Sequence, residues 1–155
     1  MKKLSKLEAI LWNVALPGFS QLLAGDYIKG LLFVALEFII NVKSHFNLGI
    51  LYSFVGKMDR SYATMDFQWL MFYPCVYMFA IWDAYRYAMP PDEKLSFLPF
   101  VFAAYSVTIG IMYSKEINLF GINLGPVFLP MLFLVPGIFI GLLVRHILIK
   151  KSFQK

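Results

Sequence analysis

LWNVALPGFSQLLAGDYIKGLLFVALEFIINV, residues 11–42, is the most informative part of the sequence for the topology. It is long and apolar, which predicts insertion into a membrane. Pro17-Gly18 interrupts its first half, a Gly-Asp pair divides it, and Glu37 lies in the middle of its second half. We therefore expect the first half to enter the membrane as a broken helix and only the second half to cross.

The composition of the whole chain is typical of a membrane protein. Of its 155 residues, 60% are hydrophobic, 18% aromatic and 15% charged, whereas a soluble domain is roughly 45–50% apolar and about 25% charged. The length suits one domain, residues 1–155. The net charge of +5 comes from basic residues that flank apolar segments, which indicates anchoring at a membrane surface and no nucleic-acid binding.

Residues that would carry catalysis or hold a metal are scarce. Cys75 is the only cysteine, which excludes an intrachain disulfide and a cysteine-based metal site. The two histidines, His45 and His146, fall on opposite sides of the membrane in the predicted topology, and no zinc-protease, hydrolase or Walker motif is present. We expect no catalytic residue, no metal site and no cofactor.

Five apolar segments follow one another along the chain. The last three are long enough for a membrane helix, which needs about 20 residues, and flanking lysines extend the second. The first is the weakest, because Pro17 interrupts it and Ser20 and Gln21 follow inside it. The five segments are Glu8–Ala24, Tyr27–Val42, Phe67–Ala88, Leu95–Tyr113 and Pro126–Ile149.

The distribution of lysine and arginine separates two topologies. If all five segments cross the membrane, the 14 basic residues divide seven and seven between the two sides. If the first segment is re-entrant and only four cross, ten lie on the side of the N-terminus and four lie opposite, namely Lys43, Lys57, Arg60 and Lys115. The second topology obeys the positive-inside rule and the first does not.

The predicted fold is therefore an all-α integral membrane protein with about four transmembrane helices and an N-terminal broken or re-entrant helix. Residues 8–42 form a Pro/Gly-interrupted helical hairpin, 44–66 an extramembrane loop with one interfacial helix, and 67–149 three transmembrane helices. Both termini lie on the cytoplasmic side of the inner membrane of a bacterium. The alternative is that residues 8–42 form a tight hairpin that spans the bilayer.

The break at Pro17 demands partners for polar groups inside the bilayer. Pro17 cannot donate to the carbonyl of Asn13, and a polar backbone group in hydrocarbon must find a partner. Asn13, Ser20 and Gln21 are local candidates, and Gly18 permits close approach of another helix. Two interpretations follow: a re-entrant element that lines a site, or a kink required for packing.

Glu37 is the most informative single residue. It lies about ten residues into the second segment, or roughly 15 Å at 1.5 Å per residue, near the bilayer midplane. An ionisable group at that depth indicates a functional site. Asn41 and His45 follow at four-residue spacing and share its face, with Lys29 on the same stripe. The face is either a proton or cation path or a packed interface in which Glu37 bonds a neighbouring helix.

Two further polar motifs lie near the predicted cytoplasmic surface. Trp82 and Tyr85 suit the interfacial belt, and Asp83 and Arg86 are three residues apart and can pair on one side of a helix. These four residues are either an interfacial anchor or a binding site. The turn at residues 90–93, Pro-Pro-Asp-Glu, is expected to start the next helix with its acids at the helix N-terminus.

Two of these motifs carry a resemblance to a known family. Residues 17–21, PGFSQ, and 25–30, GDYIKG, resemble the hairpin signature of small bacterial TM2-type membrane proteins, and residues 82–86, WDAYR, are similar to a motif of those proteins. The resemblance covers about residues 10–42 and 82–86. It implies a multi-pass membrane protein but no particular activity, because the family has no generally assigned biochemical function.

The leading functional hypothesis is a non-enzymatic assembly, scaffold or regulatory partner in the cytoplasmic membrane. Its expected partners are the lipid bilayer and either other membrane proteins or a second copy of itself. The alternative is a small transporter or channel component that uses the intramembrane face of Glu37 and Asn41.

Overall fold

A computed structural model describes residues 4–152 of the chain. It is mostly helical, at 76%, and all-α apart from one short β-hairpin, which confirms the all-α part of the prediction. Within that range the elements are α1 (Lys6–Ala15), α2 (Phe19–Ala24), α3 (Tyr27–Ser44), α4 (Phe46–Phe54), α5 (Met58–Thr64), α6 (Phe67–Leu70), α7 (Tyr73–Ala88), α8 (Leu98–Met112), β1 (Asn118–Leu119), β2 (Ile122–Asn123) and α9 (Gly125–Ser152).

One helix among residues 4–152 is long and apolar enough to cross a membrane, namely Gly125–Lys151 within α9. Helices α3 and α4 meet at an angle of 64° and satisfy the same criteria together, so the number rises to two if this bent pair is one span. The other predicted spans are shorter than expected, because a turn separates α6 from α7 and α8 begins only at Leu98. The four crossings therefore stay a prediction.

Helix α3 runs antiparallel to α7, and side-chain contacts fix their register. Lys29 pairs with Asp83 at 3.0 Å, and the rings of Phe33 and Phe79 lie 5.9 Å apart. Farther along, the Ser44 carbonyl at the end of α3 accepts from the amide before α6 at 3.0 Å. The end of the molecule near Lys29 and Asp83 is called the Lys29 end, and the opposite end, where α4 lies, the α4 end.

Helices α1 and α2 form a hairpin that turns back before it reaches the α4 end. The Asn13 side chain contacts the carbonyl of Ala80 in the middle of α7, and α2 then returns toward Asp83. The tip of the hairpin lies against Gly30 and Phe33, in the first half of α3. The hairpin therefore covers only part of the length of α3.

Helices α8 and α9 form the longest helical pair, and glycines let them approach closely. A Cβ at Gly110 would lie 2.7 Å from the Cα of Pro130, and one at Gly141 would lie 2.6 Å from the Cα of Pro99. Gly137 meets the side chain of Ser106 in the same way. Small residues at the contact allow the backbone-to-backbone packing that stabilises helix pairs where water is excluded.

Residues 44–66 form two short helices, α4 and α5, where the sequence predicts one interfacial helix. A buried serine pair joins them, since the hydroxyls of Ser53 and Ser61 lie 2.9 Å apart and both donate to the carbonyl of Gly49. Tyr62 of α5 donates to the side-chain oxygen of Asn123 in β2 at 3.0 Å. The segment therefore covers the α4 end and packs on the core of the bundle.

Candidate functional site

The first polar region, which we call the hinge network, consists of Asn13, Ser20, Gln21, Lys29 and Asp83. Its centre is the fully buried side chain of Asn13. The Asn13 Oδ1 atom accepts from the backbone amides of Gly18 and Ser20, both at 3.1 Å. Because these amides belong to the first turn of α2, the Asn13 side chain satisfies donors that the helix itself leaves unpaired.

The chain reverses at Pro17 and Gly18 for local reasons. Helix α1 ends at Ala15, two residues before the proline, since Pro17 has no N–H to continue the ladder. Gly18 has a φ of +98°, and a Cβ there would lie 2.4 Å from the carbonyl oxygen of Gly30. Only glycine fits both the left-handed backbone and this contact with α3. The hydroxyl of Ser20 then donates back to the carbonyl of Ala9 at 2.6 Å and closes the turn.

Gln21 and Asp83 extend the hinge network toward the Lys29 end. The Gln21 Nε2 atom donates to the Ala80 carbonyl at 2.9 Å and to the Asp83 carboxylate at 3.2 Å. Asp83 also accepts from Lys29 at 3.0 Å. The pair that the spacing of Asp83 and Arg86 allows does not form. Asp83 is buried and faces α2 and α3, while Arg86 is exposed and lies over the ring of Trp82, 5.1 Å from its centroid.

The second polar region, which we call the Glu37 patch, consists of Glu37, Asn41 and Asn47. The Tyr73 hydroxyl donates to Glu37 at 3.0 Å. The amides of Asn41 and Asn47 bond each other, with Nδ2 of Asn41 3.2 Å from Oδ1 of Asn47, and the Asn47 backbone amide donates to Asn41 at 3.3 Å.

The Glu37 patch opens outward, in contrast to the buried hinge network. It lines a concave cavity of about 350 Å³ whose other walls are apolar side chains of α3 and the hinge. Glu37 and Asn41 are half-buried and Asn47 is exposed. The apolar lining residues are Leu16, Val34, Phe38 and Val42.

His45 is not brought into the Glu37 patch. It lies at the bend between α3 and α4 with a φ of +53°, which ends the regular stripe that the sequence suggests. Its side chain is exposed, and Asn47, two residues later, occupies the place that the four-residue spacing predicts for it. The sequence predicts that the apolar segment ends at Val42, but it does not indicate the left-handed backbone at His45, which is not a glycine.

An aromatic barrier separates the two polar regions. The ring pair of Phe33 and Phe79 lies between Lys29 and Glu37 on the α3–α7 interface. Residues 16–18, which connect α1 and α2, pack against α3 at the same height as these two rings. No hydrogen bond between described residues links the hinge network to the Glu37 patch.

A charged cluster at the Lys29 end joins three parts of the chain, and the sequence analysis missed it. Glu93 accepts from Lys6 at 2.6 Å, from Tyr85 at 2.7 Å and from Arg145 at 3.3 Å. Burial acts to raise the pKa of Glu93, but these hydrogen bonds outweigh it and hold that pKa below its ordinary value. The acids of residues 90–93 therefore do not cap α8, which begins at Leu98.

The predicted anchor residues thus have separate roles. Tyr85 belongs to the charged cluster, Asp83 to the hinge network, and Trp82 donates to Ser96 at 3.3 Å. Among residues 4–152, no group of three or more His, Cys, Asp or Glu side chains is arranged to hold a metal ion. Comparison of the chain with models of protein families, with curated proteins and with solved structures found no match.

Proposed function

We propose that this chain is a non-enzymatic, multi-pass protein of a bacterial cytoplasmic membrane that assembles with another membrane protein through the Glu37 patch. The observation that carries the proposal is the outward-facing polar cavity on an apolar helix. The resemblance to TM2-type proteins stays a prediction beside it.

The exposed faces of α3 and α9 support the membrane location. Phe38 on α3 is 69% exposed, and Val135 and Phe139 on α9 are 66% and 68% exposed. Contiguous apolar surface of this kind is rare on a soluble monomer and suits contact with lipid. Further exposed apolar residues on the two helices are Ile28, Leu31, Leu32, Ile39, Met131, Leu132, Leu142 and Leu143.

Reporter fusions test the orientation. A fusion after Lys29 is expected to report the cytoplasm and a fusion after Arg60 the outside, because α3 then crosses and α1–α2 does not. If the two fusions report the reverse, or if both report the same side, the four-span topology is wrong. Fractionation of the full chain away from the membrane would remove the membrane location itself.

The chemistry of the Glu37 patch supports assembly. Glutamate and asparagine side chains that face hydrocarbon lack the water that would otherwise satisfy them. A polar side chain from a second membrane helix supplies the missing hydrogen bonds, and such bonds between helices are worth about 0.6–2 kcal/mol each. The cavity around the patch leaves room for that side chain.

Site-specific photo-crosslinking in native membranes tests the proposal. A photoreactive residue replaces Val42, which lines the cavity, or Ile39, which is similarly exposed on α3 but does not line it. We expect a discrete adduct from position 42 and a diffuse lipid background from position 39. The mass of the adduct tells a second copy of this chain from a different protein. An adduct of equal yield at both positions would contradict the proposal.

Transport is the second candidate function. Glu37 favours it, because an ionisable side chain near the middle of α3 lines a cavity together with Asn41. The aromatic barrier of Phe33 and Phe79 opposes it, since it separates Glu37 from the polar groups at the Lys29 end. In proteoliposomes, Glu37→Gln is expected to leave pH-driven flux unchanged. If the unaltered protein supports a flux and Glu37→Gln abolishes it, the protein is a transporter and the assembly proposal is wrong.

A further inference from the structure

A long apolar groove lies between helices α1 and α7 on one side and α8 and α9 on the other. Its volume is about 620 Å³, which is within the range of about 300–1,000 Å³ that is typical of ligand pockets. Apolar side chains form nearly all of its surface. They include Ile10, Met78, Ile81, Ala103, Val107 and Met131.

Both ends of this groove are closed. At the α4 end, Phe46, Ile50 and Phe54 of α4 form part of its lining. Toward the other end, Lys6 of α1 and Arg145 of α9 both bind Glu93, so the two walls are joined. A membrane-spanning helix of a partner would have to continue past both ends, whereas a hydrocarbon chain ends inside the bilayer. The groove therefore suits a hydrocarbon chain better than a helix.

The charge at the closed end complements an anionic head group. Lys6 and Arg145 share the single carboxylate of Glu93, so the cluster keeps an excess of positive charge. The ammonium group of Lys6 has three donors, and its side chain is 43% exposed. An arginine side chain has five N–H donors in a geometry that matches phosphate. In Arg145, Nε donates to the Lys94 carbonyl and Nη2 donates to Glu93.

The groove and the charged cluster adjoin each other. Ile10 lines the groove one helical turn from Lys6 on α1, and Ile81 lies one turn from Tyr85 on α7. Phe100, which also lines the groove, packs on the ring of Tyr85 with centroids 5.8 Å apart. The groove thus ends about one helical turn from Lys6, which shares Glu93 with Arg145.

We propose that this groove binds one hydrocarbon chain of an anionic phospholipid, with the phosphate beside Lys6 and Arg145. The proposal rests on the membrane location proposed above and is independent of the Glu37 patch. The bound lipid would fill the space between the α1–α7 and α8–α9 pairs at a fixed position, unlike the bulk lipid around the bundle.

Native mass spectrometry of the full chain in detergent tests the head-group part. Phosphatidylglycerol is expected to bind at one molecule per chain and more tightly than phosphatidylcholine. The double variant Lys6→Gln/Arg145→Gln is expected to lose about fivefold in phosphatidylglycerol affinity for each cation removed. The loss in phosphatidylcholine affinity is expected to be smaller, because the choline cation offsets the attraction of the phosphate to the two basic residues. The control Lys43→Gln/Lys57→Gln, at the α4 end, is expected to bind like the unaltered protein.

A groove-filling variant tests the chain part without disturbing an ion pair. Val107→Phe adds volume inside the groove, and Val101→Phe adds the same volume on the exposed face of the same helix. We expect the first variant to lose the bound lipid and the second to keep it. Three results would each overturn the proposal. They are equal affinity for both lipids, lipid that stays bound to Val107→Phe, and a dimer that Val107→Phe dissociates. None of these results bears on the crosslink from position 42.

Discussion

The hinge network and the Glu37 patch both contain polar side chains in an apolar molecule, but those of the first are buried and those of the second face outward. Asn13 and Gln21 are fully buried and bond to the backbone or to Asp83, so they hold the α1–α2 hairpin against α7. Asn41 and Asn47 bond each other at the edge of an open cavity. From this comparison we predict that a polar side chain that faces inward stabilises the fold and that one that faces outward is free to bind a partner.

The largest effect is expected from Asn13→Ala. The change leaves the amides of Gly18 and Ser20 buried without an acceptor, and each such group costs about 1–3 kcal/mol. We expect a loss of about 4 kcal/mol in the free energy of unfolding, measured by thermal melting in detergent. The matched change Asn47→Ala, at the exposed edge of the Glu37 patch, is expected to cost below about 1 kcal/mol. Similar losses from both variants would erase the distinction between the two regions.

The next effect is expected from Gly18→Ala. A Cβ at this position meets the Gly30 carbonyl at 2.4 Å in addition to the strain of its positive φ. We expect a cost of about 3 kcal/mol. Gly56→Ala is the control, since Gly56 also has a positive φ but no atom within 4 Å of the added Cβ; its expected cost is about 1 kcal/mol. Equal melting temperatures for the two variants would show that the hairpin does not pack tightly on α3.

A smaller effect, dependent on pH, is expected from Glu93. Because its pKa is lowered in the folded chain, its contribution to stability is present above the unfolded pKa and is lost as the pH falls through the folded pKa. In Glu93→Gln this contribution is absent at every pH, so we expect the melting temperature of the variant to fall less than that of the unaltered protein between about pH 6 and pH 3. The neighbouring change Asp92→Asn is the control. An unchanged acid profile in Glu93→Gln would mean that the cluster does not stabilise the fold.

The smallest effect on stability is expected from Asn41→Leu/Asn47→Leu. Replacing both members of a hydrogen-bonded pair with apolar groups is close to neutral, so we expect a change within about 0.5 kcal/mol. The crosslink from position 42 is expected to fall roughly tenfold, as the loss of two helix-to-helix hydrogen bonds predicts. Gln68→Leu, an exposed polar residue outside the cavity, is the control. A large loss of stability in the double variant would show that the Glu37 patch stabilises the fold.

Local chemistry made part of this arrangement predictable. Pro17 predicts the break, and Asn13 and Ser20 lie beside it, where they bond the amides of Gly18 and Ser20 and the carbonyl of Ala9. The spacing of Asp83 and Arg86 suggests a local pair, whereas the partner of Asp83 is Lys29, 54 residues away, which no local pattern indicates. The contact of Tyr73 with Glu37 depends in the same way on the register of α7 against α3.

Helix ends were the least predictable feature. The turn at residues 90–93 has the composition of a helix start, yet α8 begins at Leu98. Glu93 is drawn instead to Lys6 and Arg145, which are separated from it by 87 and 52 residues. Long-range ion pairs of this kind override a local capping preference, and no spacing in the sequence marks them.

The most direct test of the two polar regions is a paired measurement on Asn13→Ala and Asn41→Leu/Asn47→Leu. Both the melting temperature and the yield of the position-42 adduct per folded chain are measured for each variant. We predict that Asn13→Ala lowers the melting temperature and keeps the adduct, while the double variant keeps the melting temperature and loses the adduct. If both variants lower the melting temperature and keep the adduct, the Glu37 patch is structural and the account of its function is wrong.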